Sequence, residues 1–572
     1  MKYLKIGTYE LAALGVVVAA LCLRLVLISQ NWPILNADEG TIGIMARHIA
    51  YRGEHPIFYY GQHYMGVLQA YLGAVIFHLF GASLFSLRLG LVLMTLGFLI
   101  CMYLLTQALY SRPFALFVVL LLTFGSYYLL DYQLHAIGGY PETFFFGALL
   151  FVIAASLAIT SSPLVTWRLS AWSLFGYAAW GCAAGLGMWS DSLTLPLIAT
   201  SGLLIAVFCW RELLRIIPSL CILLGLALGA MPLIIYNLHA APGQDSLTVL
   251  WNLQHGGRNQ IHSTLLMLLH ALQNTTLISI SMITGNPWCP VNEVPVLQDP
   301  SSAPSSTCTL VHAAWGSGYM LLLVCALVLA LWSGWMAWRR ARAQPQDLVL
   351  RRELACCWAR IFLLISVLLV LYEYVTSNAP ATWPGVEARY LVGLWVAWPV
   401  VLWPLWRLAS PAFSRLKLVG RVGKVAGGVL LAGLLGVYVL GSVMTFADIP
   451  RAQHDYQQYA ALANNLANMH ITHIYTDYWT CDKLAFVSQE RVICGVIDSH
   501  LKPSHDRVPN YYQIVHADPA SAYVFPAHSD QRPIVFNLIK KHLSGYWRYA
   551  FDGYVVYQPV QHVSRSSLSK RA

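Results

Sequence analysis

Apolar stretches of about 20 residues recur along most of this chain, from Leu11 to about Val443. A helix of that length crosses the hydrocarbon core of a bilayer, which is about 30 Å thick. Charged residues make up only 10% of the 572 residues, whereas an ordinary soluble domain contains about 25%. The pattern predicts an all-α polytopic membrane domain with about eleven transmembrane helices, placed at residues 9–30, 82–108, 113–131, 142–161, 172–189, 193–210, 216–236, 316–338, 361–376, 390–407 and 425–445.

The basic residues between these stretches predict the topology. Lys and Arg cluster in alternate connections, and the opposite set of short connections is nearly free of them. Short basic loops lie on the cytoplasmic side of a membrane. We therefore expect a multi-pass protein of the cell membrane with its N-terminus in the cytoplasm and its C-terminal segment outside. The net charge of +10 comes mostly from these loops, and no basic run with interleaved aromatics suggests a nucleic-acid partner. The basic connections contain Lys2, Lys5, Arg112, Arg168, Arg211, Arg215, Arg339, Arg340, Arg342, Arg351, Arg352, Arg360, Arg407, Arg415, Lys417, Arg421 and Lys424.

Three outer regions are large enough to carry function. A first loop covers residues 31–82, a second loop covers 238–315, and a C-terminal segment covers 446–572. The C-terminal segment alternates helical pattern, at 456–469 and 533–543, with β-rich runs at 473–475, 492–496, 522–525 and 554–557. This alternation predicts a small extracytoplasmic α/β domain after a membrane domain at residues 1–445.

Two cysteine pairs lie in polar segments, Cys289 with Cys308 and Cys481 with Cys494. Neither has the spacing of a zinc site. Disulfides are compatible with an oxidising compartment, so both the bonded and the free state remain open at this point.

Asp38 and Glu39 follow the first span directly. Two carboxylates beside a bilayer are costly unless they are solvated, paired or used. One interpretation is that Asp38 caps the next helix, where the helix dipole favours an acid. The other is that Asp38 acts as a general base on an incoming hydroxyl or holds a divalent metal, although no motif supports a metal.

Other outer connections add a small set of polar candidates. Glu142 and Asp191 each lie where an outer connection meets the membrane, and helix-start electrostatics would also explain them. Arg389 lies on the side where basic residues are scarce; it could bind a phosphate or pair locally with Glu387. Convergent acids at one end of a bundle suggest a site. We therefore expect catalytic acids at Asp38, Glu39 and Glu142, and substrate contacts from Tyr60, Gln62, Tyr64, His135, Asp191 and Arg389.

The first loop resembles that of the GT-C glycosyltransferases, in particular the family 39 branch of protein O-mannosyltransferases and aminoarabinose transferases. The resemblance rests on residues spread over the loop and the start of the second span: Asp38-Glu39, Ala46, Ile49, Gly53, Phe58-Tyr59-Tyr60-Gly61-Gln62, Tyr71, Leu79-Phe80-Gly81 and Arg88. It covers the first four spans well and the remainder chiefly in topology. One departure is Met65-Gly66-Val67, where aminoarabinose transferases have Lys-Pro-Pro, so their acceptor and their lysine contact to phosphate are not carried over.

The resemblance implies a hexosyl- or pentosyltransferase that uses a polyprenyl-phosphate-linked sugar on the outer face of the membrane. The acceptor would be a hydroxyl of a protein, lipid or glycan. Asp38 matches the family's first-loop acid, which would orient or deprotonate the acceptor, and Glu142 falls where such enzymes place a second acid. A resident cofactor is not implied.

Two other classes of function are compatible with the sequence. A transporter or flippase would need a broken-helix site near the middle of the membrane, often within repeated halves, and no repeat is visible. A membrane-anchored sensor or scaffold would place its function in the C-terminal segment, where Asp477-Tyr478-Trp479 is the clearest polar and aromatic cluster.

Overall fold

The apolar stretches form helices whose bounds follow local capping and turn signals. The structure, a computed structural model, describes residues 7–161, 170–255, 265–288, 306–344, 346–410, 419–498, 500–527, 545–551 and 553–560. Its α-helices are α1 Thr8–Ser29, α2 Ala37–Arg47, α3 Leu68–Phe80, α4 Leu84–Leu109, α5 Arg112–Phe124, α6 Tyr127–Leu134, α7 Tyr140–Thr160, α8 Ala171–Ser190, α9 Leu195–Leu213, α10 Ile216–Gly229, α11 Met231–His239, α12 Ser246–His255, α13 Leu265–Asn274, α14 Ile280–Thr284, α15 Ser306–Ala343, α16 Leu348–Thr376, α17 Ala379–Thr382, α18 Trp398–Ala409, α19 Val419–Asn468, α20 Tyr478–Val487 and α21 Tyr511–Ala517.

Short segments of tighter or wider helix join some of these elements. Wider π-helical turns occur at His48–Arg52 and Thr275–Ser279, and 3₁₀ segments occur at Ser192–Thr194 and Glu387–Ala397. The first π turn ends at Gly53, whose φ of 68° is the left-handed conformation that glycine tolerates best.

Within the described residues, nine helical segments are long and apolar enough to cross a membrane. The number rises to eleven if the bent pairs α5–α6 and α10–α11 are each counted as one span. The prediction of a polytopic helical membrane protein with about eleven spans is thereby confirmed. The protein is a multi-pass membrane protein.

One predicted span and one part of a predicted loop differ from the structure. The stretch at 172–189 is α8, which is not among these nine segments, and it packs closely on α10 through Gly181 and Gly185. Conversely, Leu265–Thr284 is apolar and long enough to span, although it falls within the predicted second outer loop.

The predicted span at 113–131 is sharply bent. α5 and α6 meet at 76° around Gly125, whose φ is 69°, and Ser126 caps α6 by accepting a hydrogen bond from the backbone N–H of Leu129. The bend leaves carbonyls at the end of α5 without helical partners. Arg24 is fully buried beside them and donates to the carbonyls of Leu122 and Thr123 at 3.0 and 2.9 Å.

Contacts between connecting segments define the two ends of the bundle. At one end Arg112 pairs with Glu10 at 3.1 Å, and Arg351 donates to the carbonyl of Phe208 at 3.0 Å. We call this the arginine-rich end, defined by Arg112, Arg351, Arg360 and Arg407. The opposite end carries α2, α3 and the C-terminal segment, and we call it the domain end.

A five-stranded sheet forms the centre of the C-terminal segment. Its strands are β1 His473–Thr476, β2 Ile493–Val496, β3 Ala522–Pro526, β4 Tyr546–Phe551 and β5 Tyr554–Pro559, in the order β2-β1-β3-β5-β4. β1 is parallel to β2 and β3, and β5 is antiparallel to β3 and β4. Four of the five strands coincide with predicted β-rich runs; β4 was not predicted, and the predicted helix at 533–543 lies outside the described residues.

The sheet connects to the membrane part through one continuous helix. α19 has 50 residues and runs from Val419 to Asn468, so it passes without interruption through the predicted domain boundary at 445. The sheet also docks on the first loop through α2 and α20. A Cβ at Gly40 would lie 2.5 Å from the backbone oxygen of Asp482, and a Cβ at Gly43 would lie 2.5 Å from the ring of Phe486. These two glycines therefore permit the close packing of α2 on α20.

A cluster of charged residues also connects the first loop to the C-terminal segment. Glu490 accepts hydrogen bonds from Arg52 at 2.7 Å, from His48 at 2.9 Å and from Arg47 at 3.3 Å. Burial alone would raise the pKa of Glu490, but the hydrogen bonds from His48 and Tyr511 and the neighbouring positive charges lower that pKa to about 2.

Candidate active site

α2 begins immediately beside the domain end of the bundle, and its first turn carries both predicted acids. The N-cap is Asn36, whose side-chain oxygen accepts from the backbone N–H of Asp38 at 2.9 Å. Asp38 is therefore not the cap, and its carboxylate is free to make other contacts.

The Asp38 carboxylate is held by two phenols from different parts of the chain. The hydroxyl of Tyr59, in the first loop, donates to Oδ1 at 3.0 Å, and the hydroxyl of Tyr478, at the start of α20, donates to the same oxygen. Among the described residues both hydrogen bonds to the carboxylate fall on Oδ1. The other oxygen, Oδ2, is left to accept a proton.

A cavity of about 480 Å³ opens beside Asp38. Its walls come from the first loop, the turn before α7, the start of α9, the end of α16 and the segment before α18. Five of the nine predicted site residues line it: Asp38, Gln62, Tyr64, Asp191 and Arg389. Tyr60, Glu39, His135 and Glu142 do not line it.

Glu39 points away from the cavity. It is fully buried and accepts hydrogen bonds from Nε and Nη2 of Arg88 at 2.8 and 2.5 Å, and from the backbone N–H of Ala136 at 3.3 Å. His135 lies 3.4 Å from the same carboxylate. Burial alone would raise the pKa of Glu39, but the charges of Arg88 and His135 outweigh burial and lower it. Glu39 is thus an ionised partner of Arg88 that connects α2 to α4 and to the turn before α7.

Glu142 and Tyr60 also lie behind the wall. Glu142 is 1% exposed and accepts from Nε2 of Gln69 at 2.7 Å; the same Gln69 nitrogen donates to the carbonyl of Gly138, which lines the cavity. Tyr60 donates to Glu54 at 2.8 Å. Glu142 therefore acts on the wall of the cavity through Gln69, and Tyr60 belongs to the polar contacts behind the first loop.

Asp191 fastens two of the loops that form the cavity. One of its oxygens accepts from the backbone N–H of Leu193 at 3.0 Å and the other accepts from that of Gly139 at 3.2 Å. Burial raises the pKa of Asp191, although these backbone donors oppose the effect. The residue fixes the turn before α7 against the start of α9.

Arg389 is the basic residue of the cavity wall. Its Nη2 lies 3.2 Å from Glu387, and its guanidinium lies 5.2 Å from the ring centre of Tyr390. Its buried Nε has no hydrogen-bond partner among the described residues. The local pair with Glu387 considered from the sequence is present, and the Arg389 side chain also lines the cavity, where its positive charge favours an anion.

The C-terminal segment contributes residues that the sequence did not assign to the site. Arg507 donates from Nε to the hydroxyl of Tyr478 at 3.3 Å, and its guanidinium lies 5.1 Å from the ring centre of Tyr59. With its amide oxygen turned toward Arg507, Gln62 accepts from both terminal nitrogens at 3.0 and 3.1 Å. Asp477-Tyr478-Trp479 was the one signal in the sequence, as a polar and aromatic cluster, but nothing in it indicated Asp38 as the partner.

Two further acids lie behind Asp38, the buried Asp482 and the half-buried Asp506. Asp482 is 1% exposed and accepts a hydrogen bond of 2.5 Å from the hydroxyl of Thr41. Burial, together with the charges of Asp506 and Asp38, raises the pKa of Asp482 to about 7. Burial likewise raises the pKa of Asp506 to about 6. The Asp482 carboxyl, at the contact between α2 and α20, is therefore partly protonated at neutral pH.

One of the two cysteine pairs lies entirely within the described residues, and it is bonded. Cys481 and Cys494 form a disulfide with a Cα–Cα distance of 5.6 Å, whereas Cys289 lies outside the described residues. Within the described part of the chain, the one compact group of metal-ligand side chains is Cys481, Asp482 and Cys494. Because both sulfurs belong to the disulfide, they are not available as thiolate ligands.

Comparison with known proteins identifies the architecture. No model of a known protein family matches the sequence, and no curated protein matches it. The structure is similar to that of ArnT from Cupriavidus metallidurans bound to undecaprenyl phosphate, with a TM-score of 0.55, 13% identity, and coverage of 96% of this chain and 98% of ArnT. The apo state of ArnT gives a TM-score of 0.54 at 14% identity, covering 95% of this chain and 97% of ArnT.

A second solved structure supports the same assignment. The oligosaccharyltransferase from Archaeoglobus fulgidus, tethered with an acceptor peptide containing the NVT sequon, matches with a TM-score of 0.53 at 13% identity. The match covers 97% of this chain and 74% of the oligosaccharyltransferase. The resemblance predicted from the first loop is confirmed at the level of the fold. The chain has the GT-C fold that ArnT and the archaeal oligosaccharyltransferase share.

Proposed function

We propose that this protein is a glycosyltransferase that moves a sugar from a polyprenyl-phosphate donor to an acceptor hydroxyl, with Asp38 as the acceptor base. The observation that carries the proposal is the placement of Asp38 in a cavity of about 480 Å³ that Arg389 also lines, with no protein hydrogen bond to Oδ2 of Asp38 among the described residues. The fold supports the proposal, since ArnT has been seen with undecaprenyl phosphate and the archaeal oligosaccharyltransferase with an acceptor peptide.

The chemistry needs a base and a site for the leaving phosphate. Oδ2 of Asp38 takes the proton of the acceptor hydroxyl as its oxygen attacks the anomeric carbon. The bond from that carbon to the phosphate oxygen breaks, and the polyprenyl phosphate leaves with the electron pair. The guanidinium of Arg389 stabilises the negative charge that develops on this phosphate. With base and phosphate on opposite faces of the sugar, the anomeric configuration inverts.

The remaining predicted residues receive supporting roles in this scheme. Gln62, Tyr64 and Asp191 line the cavity and are placed to contact the sugar or the acceptor. Glu39 and Glu142, expected as catalytic acids, are positioning residues, because each is buried behind the wall and bonded to another side chain. His135 supports Glu39, and Tyr60 supports the first loop.

The orientation follows from the loop charges. The arginine-rich end faces the cytoplasm by the positive-inside rule. The cavity and the C-terminal segment then face the outer side of the cell membrane, where a lipid-linked donor would present its sugar.

The transporter hypothesis draws on the bend between α5 and α6, because broken helices are common at transport sites. At this bend, however, the carbonyls of Leu122 and Thr123 already accept hydrogen bonds from Arg24. None of these residues lines the cavity beside Asp38. The bend is therefore accounted for as a packed structural feature, and we favour the transferase.

The test is donor consumption by the purified protein in lipid nanodiscs, measured with a panel of polyprenyl-phosphate sugars and acceptors. We expect Asp38→Asn to lower turnover about 1,000-fold and Arg389→Gln to lower it about 100-fold. Glu353→Gln is the control, because it removes a carboxylate at the arginine-rich end, where Glu353 pairs with Arg340. Wild-type turnover by Asp38→Asn would refute the mechanism. Movement of an intact donor across the bilayer without sugar release would favour the transporter.

A further inference from the structure

A second polar cavity lies at the arginine-rich end of the bundle, far from Asp38. It has a volume of about 150 Å³ and lies between the end of α4, α15, α16 and α18. Two of its lining residues are the arginines Arg360 and Arg407, and none is acidic: the full lining is Tyr110, Ala326, Leu329, Ala330, Ser333, Arg360, Val400, Trp403 and Arg407.

Arg360 is fixed in this cavity with part of its hydrogen-bonding capacity unused. Its guanidinium lies 4.1 Å from the ring centre of Tyr110, which itself stacks on Trp403 at 4.3 Å. One terminal nitrogen donates to the carbonyl of Leu109. The buried Nε has no hydrogen-bond partner among the described residues. The side chain is thus held by cation–π stacking and a backbone contact, with an N–H still to be satisfied.

The position of Arg360 along α16 makes its charge costly. Sixteen residues separate it from Thr376, at the domain end of the helix, which corresponds to about 24 Å at a rise of about 1.5 Å per residue. The hydrocarbon core is about 30 Å thick. Arg360 therefore lies near the far boundary of the core, where an uncompensated charge is unfavourable.

Arg407 adds a second positive charge to the same cavity. In the described part of the chain neither arginine has a carboxylate within ion-pair distance, although Arg340 nearby is paired with Glu353. Arg407 is exposed, so it marks the mouth of the cavity toward the headgroup region. Two cations without a protein counter-ion at the depth of the lipid phosphates form a site for an anion.

We propose that this cavity binds the phosphate of an anionic phospholipid from the leaflet at the arginine-rich end. The phosphate accepts from the guanidinium of Arg360 deep in the cavity and from Arg407 at its mouth, and Ser333 supplies a neutral donor. The acyl chains remain in the bilayer alongside the helices. The inference is independent of the reaction proposed at Asp38.

The experiment uses the full-length protein in detergent micelles that contain added lipid. The bound lipids are counted by native mass spectrometry, and the melting temperature is measured with phosphatidylglycerol, with phosphatidylcholine and with inorganic phosphate. We expect phosphatidylglycerol to bind and to raise the melting temperature, phosphatidylcholine to do so much less, and inorganic phosphate to leave the melting temperature unchanged.

Matched variants locate the lipid. Arg407→Gln changes an exposed side chain, so it should fold normally and weaken phosphatidylglycerol binding about fivefold, or about 1 kcal/mol. Arg360→Gln combined with Arg407→Gln should remove the bound lipid. The control pair, Arg339→Gln with Arg342→Gln, removes the same charge from arginines that stack on Trp335 and Trp338 outside the cavity, and it should retain the lipid.

Three results would overturn the proposal. The first is equal phosphatidylglycerol binding by the wild type, Arg407→Gln and the double variant. The second is an equal loss in the control pair, which would indicate a diffuse surface charge effect. The third is stabilisation by inorganic phosphate as strong as that by phosphatidylglycerol, which would make the ligand a free anion rather than a lipid.

Discussion

The hydroxyl of Tyr478 donates a hydrogen bond to Oδ1 of Asp38 across 440 residues of sequence. Asp38 belongs to the first loop, whereas Tyr478 begins the first helix after β1 of the C-terminal sheet. The two are brought together because α2 and α20 pack closely at Gly40 and Gly43. The carboxylate of the candidate site is thus oriented jointly by the membrane part and by the C-terminal segment.

The first prediction follows from this hydrogen bond. Tyr478→Phe removes one of the two donors that fix Oδ1 and leaves the aromatic ring in place, so Oδ2 is no longer held toward the cavity. We expect turnover of the lipid-linked donor to fall about tenfold while KM for the donor changes little, because misplacement of a base affects the chemical step. The measurement is steady-state donor consumption in nanodiscs.

The neighbouring Trp479 provides the control for that change. It is 62% exposed, so Trp479→Phe alters an aromatic residue of the same helix without touching Asp38. Its turnover should stay within about twofold of the wild type, as for most exposed positions. Equal losses in Tyr478→Phe and Trp479→Phe would mean that α20 acts through its general packing and not through the hydrogen bond.

The second prediction concerns the buried pair of Glu39 and Arg88. Both side chains are 0% exposed, so Glu39→Leu leaves the guanidinium buried without its counter-ion. We expect a loss of about 3–5 kcal/mol in the free energy of unfolding. The double variant Glu39→Leu/Arg88→Leu should be less destabilised than Glu39→Leu alone, because it has no buried charge without a partner. Equilibrium unfolding in mixed micelles measures both values.

An exposed ion pair is the appropriate comparison for this cycle. Arg340 and Glu353 lie 3.1 Å apart with side chains 51% and 41% exposed, and Glu353→Leu should cost less than about 1 kcal/mol. If Glu39→Leu were equally mild, Glu39 would not be the structural partner of Arg88 that its geometry indicates, and a direct catalytic role would have to be considered again.

The third prediction tests the docking of α2 on α20. Gly40→Val places a branched side chain against the backbone of Asp482, which cannot move aside as a flexible side chain could. We expect the C-terminal segment to become more sensitive to added protease and turnover to fall by at least about tenfold, since Tyr478 is displaced from Asp38. Gly436→Val in α19 is the control, because a Cβ there meets nothing within 4 Å.

Protease sensitivity and turnover are to be compared between Gly40→Val and Gly436→Val. Gly436→Val should preserve protease resistance and turnover. Normal turnover in Gly40→Val together with increased proteolysis would show that the C-terminal segment is not needed for the reaction, and it would contradict the joint orientation of Asp38.

Much of the architecture could be predicted because the bilayer imposes its own length scale. The apolar stretches, the alternation of basic loops and four of the five strands follow from local composition and periodicity. The bend at Gly125 could not be predicted, because an isolated glycine within an apolar stretch is also compatible with a straight helix. Only the buried Arg24, far away in sequence, shows why carbonyls without helical partners are tolerated there.

For the candidate site, the sequence indicated which polar residues could gather at one end of the bundle but not which contacts each of them makes. Asp38, Asp191 and Arg389 line one cavity. The sequence placed these two carboxylates and this arginine at the same membrane boundary. Adjacent residues on a helix, however, point about 100° apart, so Asp38 and Glu39 face different surroundings. Which of the two faces the cavity depends on the partners Arg88 and Tyr478, and such long-range pairs leave no periodic signal in one sequence.

The last prediction concerns the pH dependence of the α2–α20 contact. Burial raises the pKa of Asp482 to about 7, whereas an aspartate in an unfolded chain has a pKa of about 3.9. Between these values the folded protein binds a proton that the unfolded chain has released. The contribution of Asp482 to stability is therefore greatest below about pH 4, falls as the pH rises, and levels off above about pH 7. The slope from one such group is at most about 1.4 kcal/mol per pH unit.

Asp482→Asn removes this titration and isolates its effect. Asp506, with a pKa of about 6, contributes with the same sign, but chiefly below pH 6. Glu490, with a pKa of about 2, changes the stability only at acidic pH, well below this interval. We therefore expect the difference in unfolding free energy between wild type and Asp482→Asn to change by about 1 kcal/mol between about pH 6 and 7. Asp498→Asn, at a carboxylate outside this contact, should run parallel to the wild type over the same interval; a parallel course for Asp482→Asn would instead mean that Asp482 is already ionised in the folded protein.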